Sequence, residues 1–225
     1  MYLQVLGKQP APGMVVGIDE AGKGCVLGSL VVGAVFWPSD DPPVKGLRDS
    51  KVLPPKRRAR LFQELVSVCP CVTVSIRASE IKPGNILDLQ MAATKLILRR
   101  FRPRRAVIDC PHATPAKFVD ILGFPDIDMV AEHKADHRHK PASGGSIIAK
   151  VMRDTKLARL AARLGADLGS GYPHDAKTRA WLESLVDRPD DAAASREVRW
   201  GWSTCKDIFG KMRVEQELGK ERTDG

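Results

Sequence analysis

What this chain lacks narrows it first. Nowhere in its 225 residues does an apolar run approach the ~18 residues that a membrane-spanning helix requires. Residues 1–10 lack the charged-then-apolar layout of a secretory signal. The five cysteines, Cys25, Cys69, Cys71, Cys110 and Cys205, are an odd number with no Cys-x-x-Cys pair, and Cys69 and Cys71 stand too close for an ordinary bridge. A disulfide scaffold is thereby disfavoured and reduced thiols are expected. No internal repeat, low-complexity tract or domain linker is visible. These absences predict a soluble, cytoplasmic protein with no membrane partner.

Acidic residues are also the minority: 27 Asp and Glu stand against 36 Lys and Arg, for a formal charge of +9. A basic balance of this size favours a polyanionic partner, because each phosphate contact releases counterions. Charge alone does not separate such a protein from a basic protein of another kind. The length suffices for one sizeable domain, or for one domain with a helical appendage.

Residues 14–20 form a Val/Ile-rich stretch ending abruptly in Asp19 and Glu20, the pattern of a strand buried on both faces. A glycine turn follows, and residues 30–37 give a second strand, which together suggest an antiparallel hairpin. Pro54 and Pro55 suit the opening of a helix that carries Leu61, Leu65 and Val68. Residues 71–76 alternate and are β-branched, a third strand. Asn85 is a candidate N-cap for the helical spacing from Ile86 to Arg100. Residues 105–110 and 128–132 read as the fourth and fifth strands. Residues 143–164 and 175–185 read as helices, the second capped by Asp175. Residues 187–195 read as loop, residues 200–209 as a short aromatic-bearing element, and the charged end beyond Lys211 as frayed. Strands that lead and then alternate with helices indicate an α/β or α+β sheet domain.

Asp19 and Glu20 close the first strand and Asp109 closes the fourth, so their carboxylates would converge on one edge of the sheet. Neighbouring carboxylates in a low dielectric call for a cation between them, and hard oxygen ligands suit Mg²⁺ or Mn²⁺. Acids that simply cap strand ends in solvent fit the same pattern, and periodicity leaves both readings open. His133, His137 and His139 beside Asp136 admit either a zinc site or a basic, phosphate-facing loop. No second ligand pair at finger-like spacing accompanies them, which favours the loop.

The motifs themselves say more. Gly17-Ile18-Asp19-Glu20-Ala21-Gly22-Lys23-Gly24 closely resembles the signature of the type II ribonucleases H, whose usual form is Gly-(Ile/Val)-Asp-Glu-Ala-Gly-Arg-Gly. Asp49-Ser50-Lys51, Val107-Ile108-Asp109, Lys134-Ala135-Asp136 with the block from Ser143 to Asp154, and the run from Gly169 to Asp175 resemble further motifs of that family in the same order. The Lys-Ala-Asp form, with Val198-Arg199-Trp200 and Trp202-Ser203-Thr204, is most similar to its archaeal and eukaryotic branch. The resemblance covers about residues 14–209, and collinear motifs of this number are specific.

That resemblance implies a ribonuclease H-like α/β fold, a five-stranded mixed sheet flanked by helices with a helical C-terminal part. It implies a catalytic core over residues 1–168 and a substrate-binding helical part over 169–225. Metal binding and catalysis fall on Asp19, Glu20, Asp109 and Asp136, with two divalent ions, Mg²⁺ or Mn²⁺. Gly22, Lys23 and Gly24 match the loop whose main chain senses the ribose 2′-hydroxyl, with Lys23 where the family has arginine; a lysine cannot copy that planar fork. Tyr172 matches the tyrosine that packs at the sugar beside the cut. Asp49, Ser50 and Lys51 are expected on a phosphate, and Ser143, Ser146 and Lys150 on the other strand's backbone. Gly144-Gly145 replaces the usual Ala-Ala, which costs ~1 kcal/mol per residue in a helix or loosens its start. Arg153-Asp154 is expected to be an internal ion pair. The implied activity is endonucleolytic: cleavage of RNA in RNA–DNA hybrids and incision 5′ to ribonucleotides in duplex DNA, in replication and ribonucleotide excision repair, by a monomer. A non-catalytic duplex-binding protein and a resolvase or integrase on the same scaffold are the alternatives; intact acids argue against the first, and the glycine loop and Tyr172 against the second.

Overall fold

The structure, a computed structural model, describes residues 1–39, 41, 43–47 and 53–223. Asp49, Ser50 and Lys51, expected at a phosphate, lie outside the described residues. Six strands form one sheet: β1 (Tyr2–Leu6), β2 (Val15–Ala21), β3 (Leu30–Trp37), β4 (Cys71–Ile76), β5 (Arg105–Asp109) and β6 (Asp128–Glu132), in the order β1-β4-β3-β2-β5-β6. β2 runs antiparallel to β3 and parallel to β5, and β5 runs parallel to β6. The sheet is therefore mixed, as expected, and its five expected strands are all present.

The sixth, β1, pairs antiparallel with β4, placing Leu3 opposite Val74 and Val5 opposite Val72. Its partners lie some seventy positions away in sequence, so the short run Tyr2–Leu6 carries no local sign of the pairing that makes it a strand. β2 and β3 sit in the middle of the sheet, which explains their continuous apolar sequences: Val15, Val16 and Ile18 and every residue of β3 are buried.

Nine helices accompany the sheet among the described residues: α1 (Pro55–Val68), α2 (Ile86–Phe101), α3 (Pro115–Leu122), α4 (Ala135–Arg138), α5 (Lys140–Leu164), α6 (Ala176–Ser184), α7 (Ala192–Ser195), α8 (Ser203–Phe209) and α9 (Lys211–Thr223). α3 was not expected, although its punctuation is in the sequence: Pro115 opens it and Gly123, in the left-handed region at φ 73°, ends it. Asp175 caps α6 by accepting from the Lys177 and Thr178 amides. Asn85 does not turn toward α2; its side chain accepts from Lys82 N–H and donates to the Glu80 carbonyl. The expected loop at 187–195 contains the short α7, capped by Asp191. Beyond Lys211 the chain is helical rather than frayed, because Val214 is buried and Arg213 lies over the Phe209 ring at 5.0 Å while donating to the Leu185 carbonyl.

The chain sorts into two compact units. One comprises Met1–Ala21, Val31–Ser75 and Leu87–Met152, and holds the central strands. Within it, α5 starts at Lys140 and runs through Gly144 and Gly145 without loosening. A Cβ on Gly145 would stand 2.8 Å from the Gly17 carbonyl oxygen and 3.0 Å from the Asp19 amide nitrogen, so alanine there would push the helix off β2. The glycine's lost helix propensity is offset by a close helix–sheet approach. The other unit comprises Gly22–Leu30, Ile76–Ile86 and Arg153–Gly225, with its own apolar core around Leu27, Leu160, Leu182, Val198 and Trp200. All five cysteines are buried thiols, none of them in a disulfide. No helix among the described residues is long and apolar enough to cross a membrane.

Candidate active site

In the first unit, three of the four expected acids meet. Oxygen atoms of Asp19, Asp109 and Asp136 all lie within 4.8 Å of one another. β2 and β5 are parallel neighbours with Ile18 opposite Ile108, so the residues that follow, Asp19 and Asp109, emerge side by side. Asp136 arrives by another route. The Ala135 amide donates to Asp109 Oδ1 at 2.9 Å, docking the first turn of α4 against the end of β5. Lys134, in the left-handed region at φ 58°, turns the chain into α4. Ser143 fastens the turn from the other side, donating to the Asp136 carbonyl at 2.5 Å. In this arrangement the Ser143 hydroxyl, expected on substrate, is buried and faces the protein.

The electrostatics of this cluster are unfavourable for carboxylates alone. Asp19 is 4% exposed, and its pKa is held well above the usual carboxylate range, first by burial and then by the charges of Glu20 and Asp109. The Ser146 hydroxyl and the Glu20 amide, which donates to Oδ1 at 2.7 Å, oppose this only in part. Asp19 Oδ2 is sealed from solvent and meets no hydrogen-bond donor. A buried, unsatisfied carboxylate oxygen facing two further carboxylates is a fit for a hard divalent cation, which would supply the missing positive charge. Glu20, next along β2, is not one of the three converging acids; it is half-buried and acts on Asp19 through its charge. Lys150, expected at the substrate backbone, is half-buried on α5.

The three histidines do not gather. His133 sits against the carbonyls of Cys110 and Ala113, His139 against Glu132 at 3.2 Å, and only His137 approaches Asp136, at 3.8 Å. Among the described residues the Asp19, Asp109 and Asp136 group is the one cluster of metal-ligating type.

The second unit holds the glycine loop and Tyr172. Gly22 adopts φ 94°, open to glycine and strained for other residues, and Lys23 and Gly24 are exposed. The loop's carbonyls are gathered by one side chain that motif reading left without a role. Arg199, fully buried, donates to the carbonyls of Gly22 at 2.7 Å, Lys23 at 3.2 Å and Gly28 at 3.0 and 2.9 Å. Burial lowers its pKa to about 10, helped by the neighbouring Arg153, so it remains a cation at neutral pH. With the carbonyls committed inward, the loop's shape is set by a buried guanidinium fork.

Tyr172 flanks this loop: a Cβ on Gly24 would stand 3.8 Å from its ring. Arg153 lies 5.3 Å from the ring centroid, donates to Cys25 Sγ at 2.8 Å and pairs with Asp154 at 3.1 Å, the internal ion pair that the sequence suggested. Burial above all, with Cys25 beside it, pushes the Tyr172 hydroxyl up to about 12, so the ring presents a neutral phenol. Arg199 is thus the residue whose structural work motif reading missed, while Arg153, expected only in an ion pair, also supports the Tyr172 ring, and Ser146, expected on substrate, turns to Asp19. Arg199 sits in the Val198-Arg199-Trp200 stretch, but nothing local told what it would hold.

A mixed sheet whose parallel neighbours β2 and β5 end in a largely buried carboxylate cluster defines an enzyme of the ribonuclease H fold, and solved structures agree. The chain superposes on ribonuclease HII of Archaeoglobus fulgidus, solved in complex with PCNA, with a TM-score of 0.76 and 34% identity, covering 84% of this chain and 95% of that one. It matches ribonuclease H2 of Pyrococcus horikoshii with a TM-score of 0.76 and 30% identity, covering 90% and 99%. In sequence it is 37% identical to ribonuclease HII of Methanothermobacter thermautotrophicus over 85% of this chain and 97% of that protein. Residues 16–205 match the ribonuclease HII family. The chain belongs to the ribonuclease HII family and is a ribonuclease H.

Proposed function

We propose that this enzyme incises the strand on the 5′ side of ribonucleotides embedded in duplex DNA, and degrades RNA in RNA–DNA hybrids, leaving 5′-phosphate and 3′-hydroxyl ends. The observation that carries this reading is the convergence of Asp19, Asp109 and Asp136 around a donor-starved buried oxygen, within a chain of the ribonuclease HII family. Asp19, Asp109 and Asp136 would hold the metal, Mg²⁺ or Mn²⁺, with Glu20 contributing from the end of β2. Two ions bound there would favour hydroxide and stabilise charge on the leaving 3′-oxygen.

The rest of the work falls to the chain itself. Asp109 orients the Asp136 turn through the Ala135 amide, and Ser143 holds its carbonyl, so the acids are preorganised. Arg199 fixes Gly22 to Gly24 so that the main chain can approach a sugar and meet its 2′-hydroxyl. Tyr172 offers a neutral ring for packing against that sugar. Because Tyr172 and Arg199 both lie after residue 168, the segment 169–225 contributes to substrate binding. The enzyme is expected to act as a monomer in the cytoplasm. A duplex carrying one ribonucleotide, and a continuous RNA–DNA hybrid, each incubated with Mg²⁺ or Mn²⁺, test the proposal. Metal-dependent nicking 5′ to the ribonucleotide is expected; binding without nicking would replace the enzyme by a duplex-binding protein.

A further inference from the structure

A groove in the second unit takes no part in the chemistry above. It measures about 230 Å³ and is lined by Gly28, Ser29 and Glu197 and by one side of α5, where Arg153, Lys156, Arg159 and Arg163 recur every three or four residues. That recurrence puts four cations in a row. Arg153 forms both the wall of this groove and the support beneath the Tyr172 ring, so the row begins where the sugar-facing loop ends.

The charges in the row are unequally neutralised. Arg163 is tied to Glu197 at 2.9 Å and Arg153 to Asp154 at 3.1 Å. Lys156 and Arg159 have no ion-pair partner among the described residues, and Arg159 is exposed. Arg153 is buried, so the accessible cations are Lys156, Arg159 and, paired with Glu197, Arg163; a row of this kind suits a repeating anion rather than a single small one. From Lys156 to Arg163 the helix rises about 10 Å, at ~1.5 Å per residue. One strand of a duplex presents a phosphate about every 3.4 Å of axis, so a run of about three phosphates matches this length.

We infer that the groove along Lys156, Arg159 and Arg163 holds successive backbone phosphates of one strand of the duplex, beyond the nucleotide whose sugar meets the glycine loop and Tyr172. The inference rests on the substrate proposed above. Lys156 and Arg159 carry most of the grip. Glu197, by occupying Arg163, limits it.

The test uses the double variant K156A/R159A and, separately, E197Q. Each is compared with the parent protein in binding and cleavage of two RNA–DNA hybrids. One hybrid is too short to reach from Tyr172 to Arg163; the other is longer by a full helical turn. For K156A/R159A on the long hybrid, the slope of log affinity against log salt falls by about two, at ~0.9 per phosphate contact. KM rises roughly ten-fold at low salt, with little change in kcat, because backbone contacts grip substrate and transition state alike. The short hybrid is affected far less. E197Q acts in the opposite direction, tightening the long hybrid and steepening its slope by about one, a gain that mere loss of structure cannot produce. An unchanged slope in both variants overturns the inference, as does an equal loss on both hybrids, which marks a general charge effect. If the parent protein binds with this length dependence but nicks neither hybrid, the proposed activity fails while the groove stands.

Discussion

The carboxylate cluster of the first unit and the glycine loop of the second solve opposite problems. The cluster gathers like charges where they repel, and leaves Asp19 Oδ2 without a donor. The loop gathers neutral carbonyls around a buried cation and leaves none of that cation's nitrogens idle: Arg199 Nε, Nη1 and Nη2 all donate. The first is a site held short of satisfaction so that something can bind there. The second is satisfied in advance so that its exposed surface keeps one shape. Under the function proposed above, metal would supply the chemistry and rigid backbone the sugar recognition, which gives the enzyme reason to keep both kinds of site.

That contrast can be broken at its strongest point by neutralising an acid. Asp109→Asn should lower Mg²⁺-dependent cleavage on the order of a thousand-fold or more, measured as single-turnover rate. Asp19→Asn should do the same while raising the metal-free melting temperature, equivalent to about 1 kcal/mol or more, since it removes a buried charge that lacks compensation. The opposite change is expected at the loop. Arg199→Met strands carbonyls that need donors and should cost roughly 2–3 kcal/mol of stability. It should also reduce discrimination between ribose and 2′-deoxyribose at the cut, and Arg199→Lys should restore both in part. Equal cleavage of all-DNA and ribonucleotide-bearing duplexes by the parent enzyme would remove the loop's role altogether.

Ser143→Ala distinguishes support of the metal cluster from contact with substrate. Loss of its bond to the Asp136 carbonyl should cost about 1 kcal/mol and weaken apparent metal affinity by roughly ten-fold. A rise in KM for the hybrid at saturating metal, with metal affinity intact, would assign it to substrate instead. The smallest effect is expected from Lys23→Arg. This residue is exposed and only its carbonyl meets Arg199, so KM should change by no more than about three-fold, through a better fork for phosphate.

Much of the fold was legible because its central strands are buried on both faces, and burial writes itself into sequence as unbroken Val and Ile. β1 was not, since Tyr2–Leu6 is a strand only by virtue of β4. α9 was misread for a related reason: its charged sequence hides the few contacts, of Val214 and Arg213 above all, that anchor it. At the site, Asp19 and Asp109 could be found as acids at strand ends. Asp136 could not, because it follows a left-handed turn that no periodicity announces; only its motif pointed there.

The sequence by itself determined the chemistry: the acids, the glycine loop, Tyr172 and the basic surplus are statements about which functional groups exist. Tertiary structure decided which of them cooperate. Asp19, Asp109 and Asp136 share a space because parallel strands and one backbone amide put them there, and the loop has its form because an arginine more than 170 positions later reaches its carbonyls. The physical reason is one of range. Side-chain chemistry and periodic burial are local properties, whereas pairing a buried charge or a carbonyl depends on partners that only the folded chain brings within a few ångströms.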